Sequence, residues 1–179
     1  MAENMNEAFA PRAFERNNHY DSFPEVLGLA IVKFILALTA EERERMIENI
    51  QHLTWIVLDD TPSAADIEKY TNLGYLDLKV NKQKADDWHC LLRNMQGAKC
   101  LPEILNGNLK HLINEGDFLD DNTMAFPCEW AYFIDFEEGE LETWKGGEVI
   151  DVVKFDDLSP EPMTRLENYG EEEEEEKEV

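Results

Sequence analysis

The chain of 179 residues is 43% hydrophobic and carries a formal net charge of −24, from 40 acidic and 16 basic residues. This size and composition predict a single domain with a substantial core. The shortage of lysine and arginine argues against direct binding to nucleic acid or to an anionic membrane surface, since both attract proteins through those side chains. A basic protein partner is compatible with the charge, although a high charge also serves solubility alone.

Three further features of the sequence bear on the cellular compartment. No window holds about 18 uninterrupted apolar residues, so we expect no transmembrane helix. The opening MAENMNEAFAPRAFERNN lacks the apolar core of a secretory signal. Cys90, Cys100 and Cys128 form an odd set without paired spacing, which indicates reduced thiols. The sequence therefore predicts a soluble cytoplasmic protein, with the nucleus as the alternative.

Two helices are predicted near the start of the chain. Residues 1–17 show no sustained periodicity and are expected to be irregular, whereas Ser22-Phe23-Pro24-Glu25 has the pattern of a helix start. Thr39-Ala40-Glu41-Glu42 is a capping-box pattern that opens the second helix at once. The first helix is expected to lie centrally in the core, because apolar residues recur in it at helical spacing: Val26, Leu27, Ala30, Ile31, Phe34, Ile35 and Leu38.

Short elements follow the second helix. Thr54–Leu58 is either a short strand or an apolar anchor, and Pro62-Ser63 begins a weaker helix that Gly74 closes. The residues from Tyr75 to Val80 then favour an extended segment.

The stretch before the C-terminal third is predicted to be helical. Asp86-Asp87 precede an amphipathic helix from Trp88 to Met95, where the acidic residues complement the helix N-terminus. Another short helix opens at Pro102 and is broken at Asn106-Gly107-Asn108. The apolar pattern then continues to Gly116.

Residues 128–155 contain three apolar runs separated at Glu138-Gly139 and Gly146-Gly147, which predicts a three-stranded antiparallel meander with short hairpin turns. The first strand is apolar at successive positions, so we expect it to be internal and covered on both faces. One of its faces is predicted to hold Trp130, Tyr132, Ile134 and Phe136. In the third strand, one face is predicted to hold Val149, Val153 and Phe155, and the other Ile150 and Val152.

Together these elements predict the α+β class: N-terminal and central helices packed on a C-terminal three-stranded antiparallel β-meander, with room for one or two extra short strands. The predicted organisation is an irregular segment over residues 1–17, one globular domain over 18–169 and a disordered acidic tail over 170–179. The tail is predicted to be disordered because its glutamate run has almost no apolar surface to bury.

Three segments carry a family resemblance: N-H-x-D-S-[YF]-P-x-x-L-G at residues 18–28, D-W-x-C-L-L-R-x-x-Q-G at 87–97 and C-E-[WY]-A-Y-x-[IV]-[DN]-[LF] at 128–136. In this order they resemble a family of small proteins common in filamentous fungi. The resemblance covers roughly residues 17–158 and implies an α+β fold and no catalytic residue. Members of that family open with a Gly-Thr-Arg-Gly strand and a hairpin, where this chain has MAENMNEAFAPRAFER. A function that depends on that opening is therefore not implied.

The segment before the first helix contains the first candidate site. His19 and Asp21, next to Asn18, are residue types that titrate near neutral pH or bind metals. A third metal ligand is missing, so an ordered turn into the helix is the plainer interpretation. We therefore predict neither a metal nor a cofactor.

Cys90 and Cys128 are the candidate nucleophiles. Cys90 follows His89 on a predicted helix, and neighbouring helical residues point about 100° apart, so the two do not face each other. Cys128-Glu129 stands at the entrance of a buried strand, where a thiol and a carboxylate could line a pocket, although cysteine is also among the most buried residue types. An imidazole to activate either thiol would have to come from His19, His52 or His111.

No complete catalytic set accompanies these candidates, since H-E-x-x-H, paired C-x-x-C, G-x-S-x-G and phosphate-binding glycine motifs are all missing from the sequence. The sequence therefore predicts a non-catalytic protein that acts through protein–protein contacts. The alternative is a small cysteine-dependent hydrolase or transferase, or a small-ligand-binding protein, with a pocket near Cys128. The residues expected to line that pocket are Asn18, Asp21, Trp88 and Glu129.

Overall fold

The computed structural model describes residues 23–57, 60–79, 84–113 and 130–165. Its helical segments are a π-helical turn at Pro24–Gly28, α1 at Leu29–Ala37, α2 at Ala40–Gln51, α3 at Ala64–Asn72, α4 at Trp88–Leu92, α5 at Cys100–Leu105 and α6 at Glu161–Arg165. Its strands are β1 at Thr54–Ile56, β2 at His111–Ile113, β3 at Trp130–Asp135, β4 at Glu140–Lys145 and β5 at Glu148–Lys154. The predicted irregular segment 1–17 and acidic tail 170–179 lie outside the described residues, so these boundaries stay predictions.

The strands form two sheets. β3, β4 and β5 form an antiparallel sheet in that order, with Trp130 opposite Lys145 and Glu140 opposite Lys154. β1 and β2 form a parallel pair, with Thr54 opposite His111. Helices combined with a C-terminal three-stranded antiparallel sheet confirm the predicted α+β class, and the parallel pair supplies the extra short strands.

Strand β3 lies elsewhere in the sheet than predicted. Among the described strands it pairs only with β4 and lies at one end of the order β3-β4-β5, whereas an internal position was predicted. Its two faces are nevertheless both buried, since Ala131 and Phe133 are only 8% and 5% exposed. The opposite face belongs to the core and carries Trp130, Tyr132 and Ile134.

The helix that runs from Pro24 to Ala37 uses one side for packing. Val26 and Leu36, which lie away from that side, are 50% and 44% exposed, so the predicted burial of Val26 is wrong. The buried side follows a strict spacing of three and four residues: Pro24, Gly28, Ile31, Val32 and Ile35. A Cβ atom at Gly28 would lie 2.9 Å from the Met163 Sδ and 3.0 Å from the Tyr132 Oη, so glycine permits the helix to approach both.

Helix α2 begins and packs as the sequence predicts. The capping box is present, because the Thr39 Oγ1 accepts the Glu42 amide (3.2 Å) and the Glu42 carboxylate accepts the Thr39 amide (2.9 Å). Further along α2, the Asn49 Nδ2 donates to the carbonyl oxygens of Ile104 (2.9 Å) and Leu105 (3.0 Å). Asn49 thus connects α2 to the end of α5, where the Ile104 carbonyl also accepts the Gly107 amide.

The stretch after α5 is not helical, which corrects one prediction. Gly107 has a φ of +72°, and the amides of Asn108 and Leu109 both donate to the Glu103 carbonyl (2.9 and 3.0 Å) and end the helix. β2 then pairs with β1, and the Thr54 amide donates to the Lys110 carbonyl (2.9 Å). Pairing with a distant strand therefore overrides a local apolar spacing that also fits a helix.

A β-bulge corrects the predicted faces of β5. Thr143 pairs with Asp151 but Trp144 pairs with Val149, so Ile150 is an extra residue in β5. The side-chain alternation shifts by one residue there, which turns Val149 and Val152 to the same, outward side. Ile150 instead packs against the core, as does Val153.

The two hairpin turns lie where the sequence predicts them. Gly146 and Gly147 have φ values of +58° and +91°, the left-handed conformations that a two-residue hairpin requires. In the turn before β4, the Asp135 Oδ1 accepts the amides of Glu137 (2.9 Å) and Glu138 (2.8 Å).

Across the described ranges, no helix combines the length and the apolar character that crossing a membrane requires.

Candidate functional site

The predicted site residues divide into two groups. Asn18, His19, Asp21, Cys128 and Glu129 all lie outside the described residues. Their convergence on one pocket therefore stays a prediction. The other two predicted residues, Trp88 and Cys90, lie on α4 and are both buried.

Cys90 has the surroundings of a structural cysteine. It is 1% exposed, and its carbonyl oxygen accepts the Asp77 amide (2.9 Å). Burial raises the pKa of the Cys90 thiol, and the carboxylates of Asp87 and Asp77 raise it further. A protonated and inaccessible thiol is a poor nucleophile. These properties favour a packing role for Cys90 over a catalytic one.

Trp88 lies in a cluster of rings, here called the aromatic cluster, that comprises Tyr70, Tyr75, Trp88 and His111. The Trp88 ring is 4.8 Å from the His111 ring and 6.2 Å from the Tyr70 ring, measured between centroids. Tyr75 stacks on the other side of Tyr70 at 5.7 Å. Side chains from α3, α4 and β2 thus pack as one unit, and Trp88 is 3% exposed. In this position Trp88 packs in the interior.

Polar atoms of the aromatic cluster are bonded in two small networks. The Tyr70 Oη lies 2.7 Å from the His111 Nδ1 and also accepts the Lys110 amide (3.2 Å). The Tyr75 hydroxyl donates to the Glu103 carboxylate, which also accepts the Asn108 amide group (2.9 Å). Burial raises the pKa of both Tyr70 and Tyr75, so both hydroxyls keep their protons.

His111 is the titratable group of the aromatic cluster with access to solvent. Its side chain is 19% exposed, and its Nδ1 lies 3.9 Å from the Asp66 carboxylate. Burial lowers the pKa of His111; Asp66 opposes this shift, and Lys69 and Lys110 add to it. From the sequence, His111 is considered only as one of three histidines that could activate a thiol. Its tyrosine partner is 41 residues away, so no local motif could reveal the pair.

A second candidate is the outward side of the three-stranded sheet. We define the outer face by two rows across the strands, namely Phe133, Glu142 and Val152, and Ala131, Trp144 and Val149. Phe133 and Trp144 meet edge to face at 5.2 Å. Val149 and Val152 are 46% and 50% exposed, because the bulge in β5 turns both outward. The outer face is therefore buried at β3, where Ala131 and Phe133 lie, and its exposed apolar side chains are the two valines of β5.

A single carboxylate lies among these apolar side chains. The Glu142 Oε2 accepts the Trp144 Nε1–H (2.9 Å), while the Glu142 Oε1 has no hydrogen-bond partner among the described residues. The next row along the sheet contains Glu140 and Lys154. These two charges form an ion pair, since the Lys154 Nζ lies 2.7 Å from the Glu140 carboxylate. Glu142 thus has one carboxylate oxygen that is bonded to Trp144 and one without a hydrogen-bond partner among the described residues.

Metal binding finds no support in the part of the chain that the structure describes. No three or more His, Cys, Asp or Glu side chains are grouped there so that they could hold a metal ion.

Comparison of the chain with family models, curated proteins and solved structures finds no match. The resemblance to the fungal family therefore stays a prediction, and the candidate functions rest on the geometry of the molecule.

Proposed function

We propose that this protein is non-catalytic and acts through protein–protein contacts made at the outer face. The observation that carries the proposal is the pair of valines, Val149 and Val152, each about half exposed. Val149 and Val152 are neighbours on one face of β5, and exposed apolar side chains that adjoin one another are typical of interaction sites. Trp144 lies between β3 and β5 and is of a residue type enriched in binding hot spots.

Charge supports a basic partner. The chain carries −24, so an acidic partner, nucleic acid or a second copy of the chain would be repelled. One oxygen of Glu142 has no hydrogen-bond partner among the described residues, and Glu142 pairs with Val152 across the sheet. A segment that combines lysine or arginine with apolar side chains matches both properties. Such a pairing contributes specificity and a faster association rate as well as affinity.

The catalytic alternative has less support. A cysteine-dependent hydrolase or transferase needs an accessible thiolate, and burial raises the pKa of the Cys90 thiol. Cys128 and Glu129 lie outside the described residues, and so does the predicted ligand pocket next to them.

The odd number of cysteines without paired spacing supports a reducing compartment, which we propose is the cytoplasm, with the nucleus as the alternative.

Replacing Val152 by arginine tests the proposal. The new cation would lie opposite Glu142 in the sheet and compete with the cation of the partner. We expect retention of the partner from a cell extract, quantified by mass spectrometry, to fall about tenfold or more, since burying one valine contributes about 1.5 kcal/mol and each 1.4 kcal/mol is a factor of ten.

Leu78→Arg is the matched control. Leu78 is 48% exposed, so the substitution makes the same change of charge at a similar exposure away from the sheet. Leu78→Arg should leave retention unchanged. Equal losses for both variants would show that net charge alone governs binding, and no loss for Val152→Arg would contradict the assignment of the outer face.

A further inference from the structure

The contact between Tyr70 and His111 has a defined direction. Tyr70 is fully buried, and its Oη already accepts the Lys110 amide (3.2 Å). Among the described residues the Oη has no other acceptor, so the buried hydroxyl satisfies its proton by donating to the His111 Nδ1 at 2.7 Å. This bond requires an Nδ1 without a proton, which is the neutral imidazole protonated at Nε2. In this state Tyr70 of α3 and His111 of β2 are joined by a good hydrogen bond.

A second partner for the same nitrogen lies nearby. The Asp66 Oδ1 is 3.9 Å from the His111 Nδ1, while the Asp66 Oδ2 is held by the Ser63 hydroxyl at 2.5 Å. The neutral ring gains little from this carboxylate, because its Nδ1 has no proton to donate. A protonated ring would gain much more, because hydrogen bonds between two charged groups are roughly twice as strong as neutral ones.

Within the described ranges, the other groups around His111 offer no comparable acceptor. From α3, Lys69 faces the ring with a positive charge, and Lys110 precedes it on the chain. From α4 comes the uncharged ring of Trp88, and on β1 the residue opposite is Thr54. The Glu103 carboxylate of α5 is bonded to Tyr75 and Asn108.

We propose that His111 is a two-position latch between β2 and α3, which accepts from the Tyr70 hydroxyl when neutral and donates to the Asp66 carboxylate when protonated. The step adds one proton from solvent to the Nδ1, breaks the O–H···N bond from Tyr70 and forms an N–H···O bond to Asp66. The released Tyr70 hydroxyl keeps its own proton and loses its acceptor. A buried hydroxyl without an acceptor weakens the packing of α3 on β2 and of Trp88 on His111.

The pH window of the latch follows from the direction of the pKa shift. Burial places the pKa of folded His111 below the usual value of about 6.5. The closed state therefore binds fewer protons than the open or unfolded chain. Its stabilisation is fully present above about pH 6.5 and is lost as the pH falls from there through the folded pKa.

The amide of Lys110 is the direct reporter, because it donates to the Tyr70 Oη. We expect its hydrogen-exchange protection factor, corrected for intrinsic exchange, to fall about tenfold for each unit by which the folded pKa lies below 6.5, as the pH is lowered from 7.5 to 4.5. The fall should follow the NMR titration of the His111 ring in the wild-type protein. A protection factor that stays constant while the His111 ring titrates would overturn the latch.

Two variants separate the parts of the latch. His111→Asn keeps an acceptor near the Nδ1 position and cannot titrate, so the protection factor of Lys110 should become independent of pH. Asp66→Asn keeps a partner for Ser63 but removes the charge, so the pKa of His111 should fall further. His52→Asn is the control, since His52 is exposed and bonds the Glu48 carbonyl; it should leave the fall in place. A fall that persists in His111→Asn would contradict the proposal.

Discussion

Replacing Tyr70 by alanine is expected to lower the free energy of unfolding by about 3–5 kcal/mol, the range typical of a large aromatic side chain deleted from a core. Tyr70 is fully buried and contacts the rings of Tyr75, Trp88 and His111. Its loss leaves a cavity among those rings and removes the acceptor of the Lys110 amide. Urea denaturation followed by circular dichroism at pH 8, where His111 is neutral, measures this change without interference from its titration.

Tyr70→Phe separates the ring from its hydroxyl. This variant keeps the packing and removes the bonds to His111 and Lys110, so we expect a smaller loss of about 1–3 kcal/mol. If Tyr70→Ala lowers the free energy of unfolding by less than about 1 kcal/mol, the smallest loss expected for Tyr70→Phe, the aromatic cluster does not hold α3 on β2. If both variants cost the same, the hydroxyl and not the ring accounts for the stability.

Replacing Gly28 by valine is expected to cost about 3 kcal/mol, the upper end of the range for adding atoms to a packed core. The Cβ alone would lie 2.9 Å from the Met163 Sδ and 3.0 Å from the Tyr132 ring, and valine adds two more methyl groups. Ala30→Val, at an exposed position of the same helix, is the matched control and should cost about 0.5 kcal/mol, the difference in helix propensity.

A double-mutant cycle shows whether the clash is the cause. Met163→Ala removes the atom closest to the new Cβ, so Gly28→Val combined with Met163→Ala should cost less than the sum of the two single changes. Strictly additive costs would mean that the valine is tolerated by a backbone shift elsewhere and that Gly28 does not mark a close approach. Thermal or urea unfolding of the four proteins gives the required values.

The parts of the fold that local chemistry specifies were predictable from the sequence. The capping box at Thr39 and the positive φ angles at Gly146-Gly147 each depend on residues close together in the chain. The residue types at these positions are therefore enough to predict them. The alternation in β3 likewise predicted which side chains share a face, and the predicted set of Trp130, Tyr132, Ile134 and Phe136 lies together in the core. Such signals need no knowledge of distant contacts.

The errors lie where distant pairing decides. The residues after Asn108 have an apolar spacing that fits a helix. They instead form strand β2, because they pair with β1, which lies more than 50 residues earlier in the chain. The bulge at Ile150 depends on the match between β4 and β5, and it reverses the predicted side of Val149. Both errors are a matter of register, which single-chain patterns specify weakly.

The candidate sites were hidden for the same reason. Val149 was predicted to share a face with Val153 and not with Val152, so the outer face could not be recognised before the bulge was known. Tyr70 and His111 read as an ordinary helix residue and an isolated histidine, and only the packing of α3, α4 and β2 joins them. Trp88 was selected on the sequence, but its role in the aromatic cluster was not.

A photoreactive phenylalanine analogue placed at residue 152 tests directly whether a partner protein binds at the outer face. Position 152 points outward beside Glu142, and the same analogue at residue 78 reports on an equally exposed position elsewhere. After irradiation in cells, we expect position 152 alone to give a discrete crosslinked protein, whose attached peptide carries lysine or arginine among apolar residues. Equal crosslinking at both positions, or an acidic peptide at position 152, would contradict the account.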